Sequence, residues 1–299
     1  MLDVCVVIAT RNRADFLIPL LQRLVELREE LAKVVVVDSS DEMHRKMTQD
    51  FIDGGGLSGI CFEYQISSER SKTRQVNQVF KDCLDFTAIQ ILDDDVLPDP
   101  GYLARSYELL TKHQAIGVSG ITQDIRSVAI HKKIFGVVFG LDSFRYGSVS
   151  ASGVGIPARA GATTTETSVD WLIGCSMWSS QRLVNKEFES KFEGSCLFED
   201  VDFSVKNRKS GKLLVDTSLE LFHFSAVQNR PNPELYWFRF ARNRIFVLKT
   251  ISFIPYIQLL RGNIGAAIQI LCGSESKKLA SLRGLLLGTF SALTNQTVR

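Results

Sequence analysis

Three consecutive carboxylates, Asp93-Asp94-Asp95, stand at the end of the apolar run Ile89-Gln90-Ile91-Leu92 and just before Pro98 and Pro100. Like charges crowded at the end of a buried strand are unfavourable unless a cation offsets them, and a divalent metal carrying phosphates would do so. In an extended segment Asp93 and Asp95 project to one side and Asp94 to the other. A plain polar turn is the competing reading, because Asp and Pro are ordinary residues after a strand. A second acidic pair, Glu199-Asp200, follows Leu197-Phe198 at a helix start. A carboxylate held beside apolar groups has its pKa raised toward the working range of a general base. Acids at a helix start are also simply favoured by the dipole. His223, between Phe222 and Phe224, is either a metal ligand or a packed strand residue. Arg70, Lys72 and Arg74 are evenly spaced at a helix start, where bases grip a diphosphate or form a solvated face. The solvated face is the reading for Lys72, and Arg74 stands between the two.

The elements that must position these groups follow from periodicity. Val4–Ala9 and Lys33–Asp38 are continuous apolar runs rich in β-branched residues, as strands buried on both faces should be. Between them, Phe16, Leu17, Leu20, Leu21, Leu24 and Leu27 recur at helical spacing. Strand, helix, strand predicts a βαβ unit and a parallel sheet. Ligands of such sheets bind beyond the C-terminal strand ends, where Thr10, Asp38 and Asp93–Asp95 would lie. The turn Thr10-Arg11-Asn12-Arg13 is not GxGxxG, which disfavours dinucleotide binding. It also lacks the Gly expected of the phosphate loop of a sugar-nucleotidyltransferase. A helix is expected over 76–84 and another over 102–113, with strands over 61–66, 116–121, 170–178, 212–216 and 219–224. From Gly147 to Ser168, twelve of 22 residues are Gly, Ser or Thr, which predicts a mobile loop that could serve as a lid.

The apolar content of 45% and charged content of 23% are those of a folded globular chain rather than a disordered one. A soft boundary near residue 230 separates a body of net charge −6 from a tail of +8, counted from residue 235. The tail reads as a basic, aromatic-rich amphipathic helix and further apolar segments broken by Pro255, Gly262, Gly273 and Gly284. Such a tail suits an anionic bilayer surface better than nucleic acid. No apolar run reaches the length of a membrane span, and the N-terminus reads as a first strand rather than a signal peptide. The six cysteines show neither CxxC pairs nor finger spacing, so a reduced, cytoplasmic setting is expected.

Seven pieces in order then carry a resemblance: VCVVIATRNR (4–13), KVVVVDSSD (33–41), RSKTRQVNQVF (70–80), ILDDDVLPDPGYL (91–103), DWLIGCSMWSS (170–180), FEDVDFSVKNRKSGKLL (198–214) and the strand ending in His223. The chain resembles family 2 inverting glycosyltransferases of the GT-A fold, particularly bacterial rhamnosyltransferase-like members. The resemblance implies an α/β GT-A domain over 1–230, Rossmann-like, with a mostly parallel central sheet flanked by helices, and a helical extension over 231–299. It implies a nucleotide-sugar donor (UDP-, dTDP- or GDP-linked), a saccharide or lipid-linked acceptor, and Mg²⁺ or Mn²⁺ on the diphosphate. Asp95 is then the first choice of metal ligand, with Asp93 and His223 as further ligands. Thr10, Arg11, Asp38, Arg74, Asp93 and Asp94 would hold the donor, and Trp171 and Asp170 the acceptor. Asp200 is the expected base and Glu199 its orienting partner. The chain departs from the pattern at Ser39-Ser40 and at Gln78, both on the nucleotide side. A degenerate domain that binds without turnover is the non-enzyme alternative, against which the retention of both acidic groups speaks.

Overall fold

Apolar runs and amphipathic segments alternate in the computed structural model, which describes residues 1–122, 128–161, 165–194, 196–224, 231–273 and 277–294. β1 (Val4–Thr10), α1 (Ala14–Glu26), β2 (Lys33–Asp38), α2 (Glu42–Asp53), β3 (Cys61–Ile66), α3 (Lys72–Phe80) and β4 (Ala88–Asp93) form the first half. Successive strand residues point to opposite faces, and both faces are covered. Val4, Val6, Ile8, Val34 and Val36 pack on Leu17, Leu20, Leu21 and Leu24 of α1. Cys5, Val7, Val35 and Val37 share a second core with Val76, Val79 and Phe80 of α3. That double burial is why these strands read as unbroken apolar runs.

Next come β5 (Val96–Pro98), α4 (Tyr102–Lys112), β6 (Gly117–Thr122), α5 (Ile130–Val138), β7 (Glu166–Val169), β8 (Ser176–Ser179), α6 (Glu199–Asn207) and β9 (Leu213–His223). The sheet runs β3-β2-β1-β4-β8-β6-β9-β5, with β7 on β9. β1 to β4 are mutually parallel where they pair. The chain steps outward from β1 to β2 and β3, then returns to the other side of β1 to lay down β4. This reversal opens a crevice beyond the C-terminal ends of β1 and β4. Register places Ala9 beside Asp93, and Thr10 beside Asp38.

Several expectations change. The two strands expected at 212–216 and 219–224 are one strand, β9, whose register against β6 shifts between Ser119 and Ile121. The shift lets β9 leave β6 and pair antiparallel with β5, His223 opposite Val96. Within 170–178 only residues 176–178 are in a strand, β8, which runs on to Ser179, and α2 and α5 have no counterpart in the periodicity. The segment from Gly147 is not a loose lid. Ser148, Ser150 and Ser152 are buried, Ser150 N–H donates to Val154 O at 2.8 Å, and β7 pairs with β9. Its small residues serve close packing: a Cβ on Gly155 would come within 2.6 Å of the Trp171 ring. Residues 162–164 of that stretch lie outside the described residues.

The C-terminal part forms α7 (Pro233–Ile251), α8 (Pro255–Cys272) and α9 (Lys278–Thr294). The boundary expected near 230 falls outside the described residues. α7 is not a basic surface helix: Arg242 and Arg244 are buried, and Val247 shares a core with Trp171, Phe192 and Val201. Arg244 donates to Ser152 O at 3.1 Å and to Ser152 Oγ at 2.9 Å, and also bonds Asn263 Oδ1. Its guanidinium lies 4.2 Å from the Phe240 ring centroid. Burial lowers the Arg244 pKa to about 9, and the surrounding acceptors compensate the lost water. Gly262 and Gly284 do not break the helices they were expected to end. They let helices approach closely: a Cβ on Gly284 would run into the Glu234 carbonyl oxygen, and one on Gly288 into that of Phe238. Gly284→Val is therefore expected to destabilise the fold by about 1–3 kcal/mol through overpacking, read as a lower midpoint in urea.

Candidate active site

At the crevice lies a cleft of about 820 Å³, lined by residues from both ends of the chain. Thr10, Arg11 and Arg13 come from the end of β1, and Asp93, Asp94 and Asp95 from the end of β4. Arg70, Lys72 and Gln75 come from just before and within the start of α3, Trp171 from the segment between β7 and β8, and Phe198, Glu199 and Asp200 from the start of α6. His223 ends β9, and Leu235 and Arg239 belong to α7. Five bases thus face five carboxylates.

Asp94 and Asp95 do not alternate as in a strand, because they form the turn between β4 and β5. Both turn to Arg13, whose Nη1 lies 2.9 Å from Asp94 Oδ1 and 3.4 Å from Asp95 Oδ2. Thr10 Oγ1 donates to Asp94 Oδ2 at 2.7 Å. Burial pushes the Asp94 carboxyl up to about 6, against the pull of Arg13 and Thr10. Asp95 also meets His223 Nε2 at 3.3 Å, a meeting made by the β5–β9 ladder and by the Phe224 N–H bond to Asp95 O. Asp93 points elsewhere, to Lys72 Nζ at 2.5 Å.

Lys72 reverses its expected place on a solvated face. Its Nζ also lies 3.4 Å from Glu199 Oε1, so it bridges the two acidic groups. Burial opposes its charge, yet Asp93 and Glu199 hold it protonated well above the ordinary lysine range. The chain brings it there by tying α3 to the segment before α6. Lys72 N–H donates to Gly194 O at 3.0 Å, Ser71 Oγ to Phe192 O at 2.7 Å, and Asn77 Nδ2 to Phe188 O at 2.8 Å.

α6 begins with Phe198 in the left-handed region at φ 72°, a costly conformation for an aromatic residue. Edge-to-face packing on Phe240 of α7 holds it, with ring centroids 5.7 Å apart. The turn delivers Glu199 and Asp200 to the cleft at the helix N-terminus. Burial first, and then the neighbouring Glu199 charge, push the Asp200 carboxyl up to about 8. Burial also raises Glu199, with Lys72 opposing. Asp202 leaves the cleft to pair with Lys206 at 2.7 Å.

Other expected residues sit differently. Arg11 lines the cleft. Asp38 is buried outside its lining, accepting Ser40 N–H at 2.6 Å and Tyr64 O–H at 2.5 Å. Arg74 lies outside the lining too and is spent on Glu69 and Ser190 O. Asp170 pairs with Arg145 and Arg208 rather than facing the cleft. Trp171 lines the cleft with little of its surface free, its Nε1 donating to Ile156 O at 3.1 Å. Arg13 and Arg239 have no site role in the sequence reading, Lys72 is read there as solvated, and Arg70 is left open between a diphosphate grip and a solvated face; all four line the cleft. Arg13 stands at a helix start following a strand, the local signal that would have found it; for Lys72 the same signal is present but does not tell a buried cation from a solvated one.

The donors fit a divalent cation. Asp95 and His223 offer a carboxylate oxygen and an imidazole nitrogen side by side, and Mg²⁺ or Mn²⁺ at a diphosphate takes few protein ligands. Among the described residues no cluster of three or more such groups exists, so phosphate and water would complete the shell.

Comparison with known proteins follows the same outline. Residues 5–134 match the family model described as Glycosyl transferase family 2. No curated protein matches the chain. The mannosyltransferase PcManGT from Pyrobaculum calidifontis, in complex with GDP-Man and Mn²⁺, superposes with a TM-score of 0.58 at 13% identity, over 99% of this chain and 88% of that one. S. aureus TarS 1–349 in complex with UDP-GlcNAc gives 0.54 at 11% identity, over 100% and 93%. GalNAc-T7 with UDP, GalNAc and Mn²⁺ gives 0.56 at 14% identity, over 77% and 45%. The fold is that of the GT-A glycosyltransferases, with a helical C-terminus.

Proposed function

We propose that this GT-A domain moves a sugar from a nucleotide-diphosphate donor to an acceptor hydroxyl with inversion at the anomeric carbon. One observation carries the reading: the cleft that holds the Asp93–Asp95 cluster and His223 also holds Asp200, a carboxyl pushed up to about 8. A base must accept the acceptor's hydroxyl proton as the oxygen attacks, and a raised carboxyl is suited to that proton. A single base, with no second carboxylate acting as nucleophile, gives one displacement and therefore inversion. Glu199, held by Lys72, orients the acceptor side.

On the donor side Asp95 and His223 would hold Mg²⁺ or Mn²⁺, while Asp93, expected as a further ligand, is turned to Lys72. When bound, the cation neutralises the diphosphate and makes it a better leaving group. Arg11, Arg70 and Arg239 supply further positive charge for phosphate, and Thr10 and Arg13 hold Asp94 and Asp95 in place. A saccharide or lipid-linked acceptor at the inner face of a bacterial cell membrane, in polysaccharide or glycolipid synthesis, suits the reading. The resemblance to rhamnosyltransferase-like members puts dTDP-deoxyhexoses beside UDP- and GDP-sugars as donors to try.

A thermal-shift screen of these donors with and without Mn²⁺ tests the proposal. One base class is expected to raise Tm by about 5 °C near 100 times its Kd, because a ligand bound only to the native state stabilises it by mass action. His223→Ala should lose the Mn²⁺-dependent part of that shift. Silence of every donor, with and without metal, would sink the reading.

A further inference from the structure

Gln75 of α3 is only 3% exposed, yet it lines the cleft. Its side chain closes over the ends of two strands. Nε2 donates to Thr10 O of β1 at 3.0 Å and to Val37 O of β2 at 2.9 Å. Both partners are carbonyl oxygens, which only accept, so the nitrogen must face them and the amide has one orientation. Its two N–H groups are then spent, and Oε1 lies on the other side of the amide from those carbonyls. Among the described residues no donor meets Oε1, yet it is not sealed in the core as Gln90 Oε1 and Asn243 Oδ1 are. A fixed acceptor on an otherwise buried side chain therefore opens into the cleft.

Neighbouring acceptors at this end of the sheet are occupied. Asp38 takes Ser40 N–H on one oxygen and Tyr64 O–H on the other, and Asn12 Oδ1 takes Asp41 N–H at 2.8 Å. An amide oxygen has nothing to offer a diphosphate, whose oxygens also accept. It fits an N–H or O–H group of a ligand. The strands run β2-β1-β4 along this edge, and Asp95 and His223 stand beyond β4. Gln75 bridges β1 and β2, on the order of 7 Å from the end of β4 at one and a half strand spacings. With a diphosphate at Asp95 and His223, the ribose follows and the base comes after it. The far end of the edge thus falls to the base.

We propose that Gln75 Oε1 reads the base of the donor by accepting a hydrogen bond from its ring N–H. Uracil, thymine and guanine carry a hydrogen on that ring nitrogen, whereas cytosine and adenine carry a lone pair. A lone pair opposite Oε1 leaves two acceptors facing each other in a buried place, which disfavours binding. Gln75 is then a specificity-determining residue that admits the first group of bases and rejects the second. This role deepens the proposed transfer, on which it rests, and gives Gln75 a part of the nucleotide recognition expected of Asp38.

Calorimetric titration of the full chain with UDP, CDP, GDP and ADP in the presence of Mn²⁺ tests it. UDP is expected to bind at least about tenfold tighter than CDP, or GDP than ADP. N3-methyl-UDP or N1-methyl-GDP, which lack the ring N–H, should be weakened to the same degree, and this arm needs no variant. Gln75→Lys keeps a nitrogen donor for the two carbonyls and removes the oxygen. Its preference for the ring N–H should shrink to within about threefold or reverse. Inorganic pyrophosphate bound with Mn²⁺ as in wild type shows that the variant's cleft is intact. CDP bound as tightly as UDP, with ADP as tightly as GDP, overturns the proposal, as does a methylated nucleotide bound like its parent. A variant that keeps the wild-type preference overturns it too. Should 2′-deoxy-UDP lose affinity while CDP does not, the oxygen meets the ribose and the proposal falls. Silence of every nucleotide and of pyrophosphate removes the transferase reading itself, whereas nucleotide binding without discrimination removes only the role of Gln75.

Discussion

Replacing Asp200 with Asn is expected to lower kcat by about 10³-fold while leaving donor affinity within a few-fold of wild type. The substitution keeps the side chain's shape and its place before Val201, whose N–H bonds Asp200 Oδ1 at 2.7 Å. It removes only the ionisable group proposed to take the proton. In the proposed mechanism donor contacts belong to other residues of the cleft, so equilibrium donor binding should survive. Activity near wild-type level would remove Asp200 as the base, and loss of donor binding together with turnover would place it on the donor side. The pH dependence follows from the raised carboxyl. A base acts when ionised, so wild-type kcat/KM should climb with pH up to about 8 and then level, and the residual rate of the variant should lack that limb.

The same carboxyl makes a stability prediction of opposite sign. It binds its proton up to about 8 in the fold and only up to about 4 in the unfolded chain. The native state therefore holds more protons between those values, and stability falls as pH rises through that window. Asp94, pushed up to about 6, adds to the slope in its lower part. The amide of Asp200→Asn carries no charge to bury, so the variant should be more stable than wild type near pH 8, in urea melts without ligand. Lost catalysis with gained stability is the signature of a charge kept in the cleft for its chemistry.

What could be read from the sequence was local. β1, β2 and β4 were legible because burial on both faces leaves an unbroken apolar run, and the crevice followed from their connection. The Asp93–Asp95 cluster and Glu199-Asp200 were legible because carboxylates at a strand end and a helix start stand out against apolar neighbours. The sharing of Arg13 by Asp94 and Asp95 was not, because the turn after β4 cancels the alternation that an extended segment would give. Arg239 and Arg244 read as surface residues from sequence because bases amid aromatics look the same on a solvated helix as on one clamped between cores. Only the packing of α7 on Phe198 and Ser152 tells the two apart. The Gly- and Ser-rich stretch from 147 suggested mobility for a similar reason. Small residues permit a loose loop or a very close one, and here Gly155 against Trp171 shows the second.

Lys72 is where sequence and structure differ most, and its removal should be costly on two counts. Lys72→Met keeps the length of the side chain but leaves Asp93 and Glu199 facing each other across the cleft without their shared cation. Breaking a buried pair costs about 3–5 kcal/mol, and these partners, part-exposed to the cleft, bring the expected loss nearer about 2 kcal/mol. The sign with pH follows from Lys72 itself. Its pKa is raised in the fold, so its contribution is fully present below the ordinary lysine value of about 10.5 and is lost only as pH rises beyond it. The gap between wild type and variant in urea midpoints should therefore hold from pH 7 to 9 rather than close there. Function separates this from a purely structural role. With Asp93 on the proposed donor side and Glu199 beside the proposed base, both KM for donor and kcat should worsen, whereas a distant destabilising change would leave the folded fraction's kinetics intact. Lys72→Arg, which retains the charge, should recover much of the loss in both parameters. A methionine variant that binds donor and turns over like wild type would reduce Lys72 to packing and detach the two acidic groups from each other.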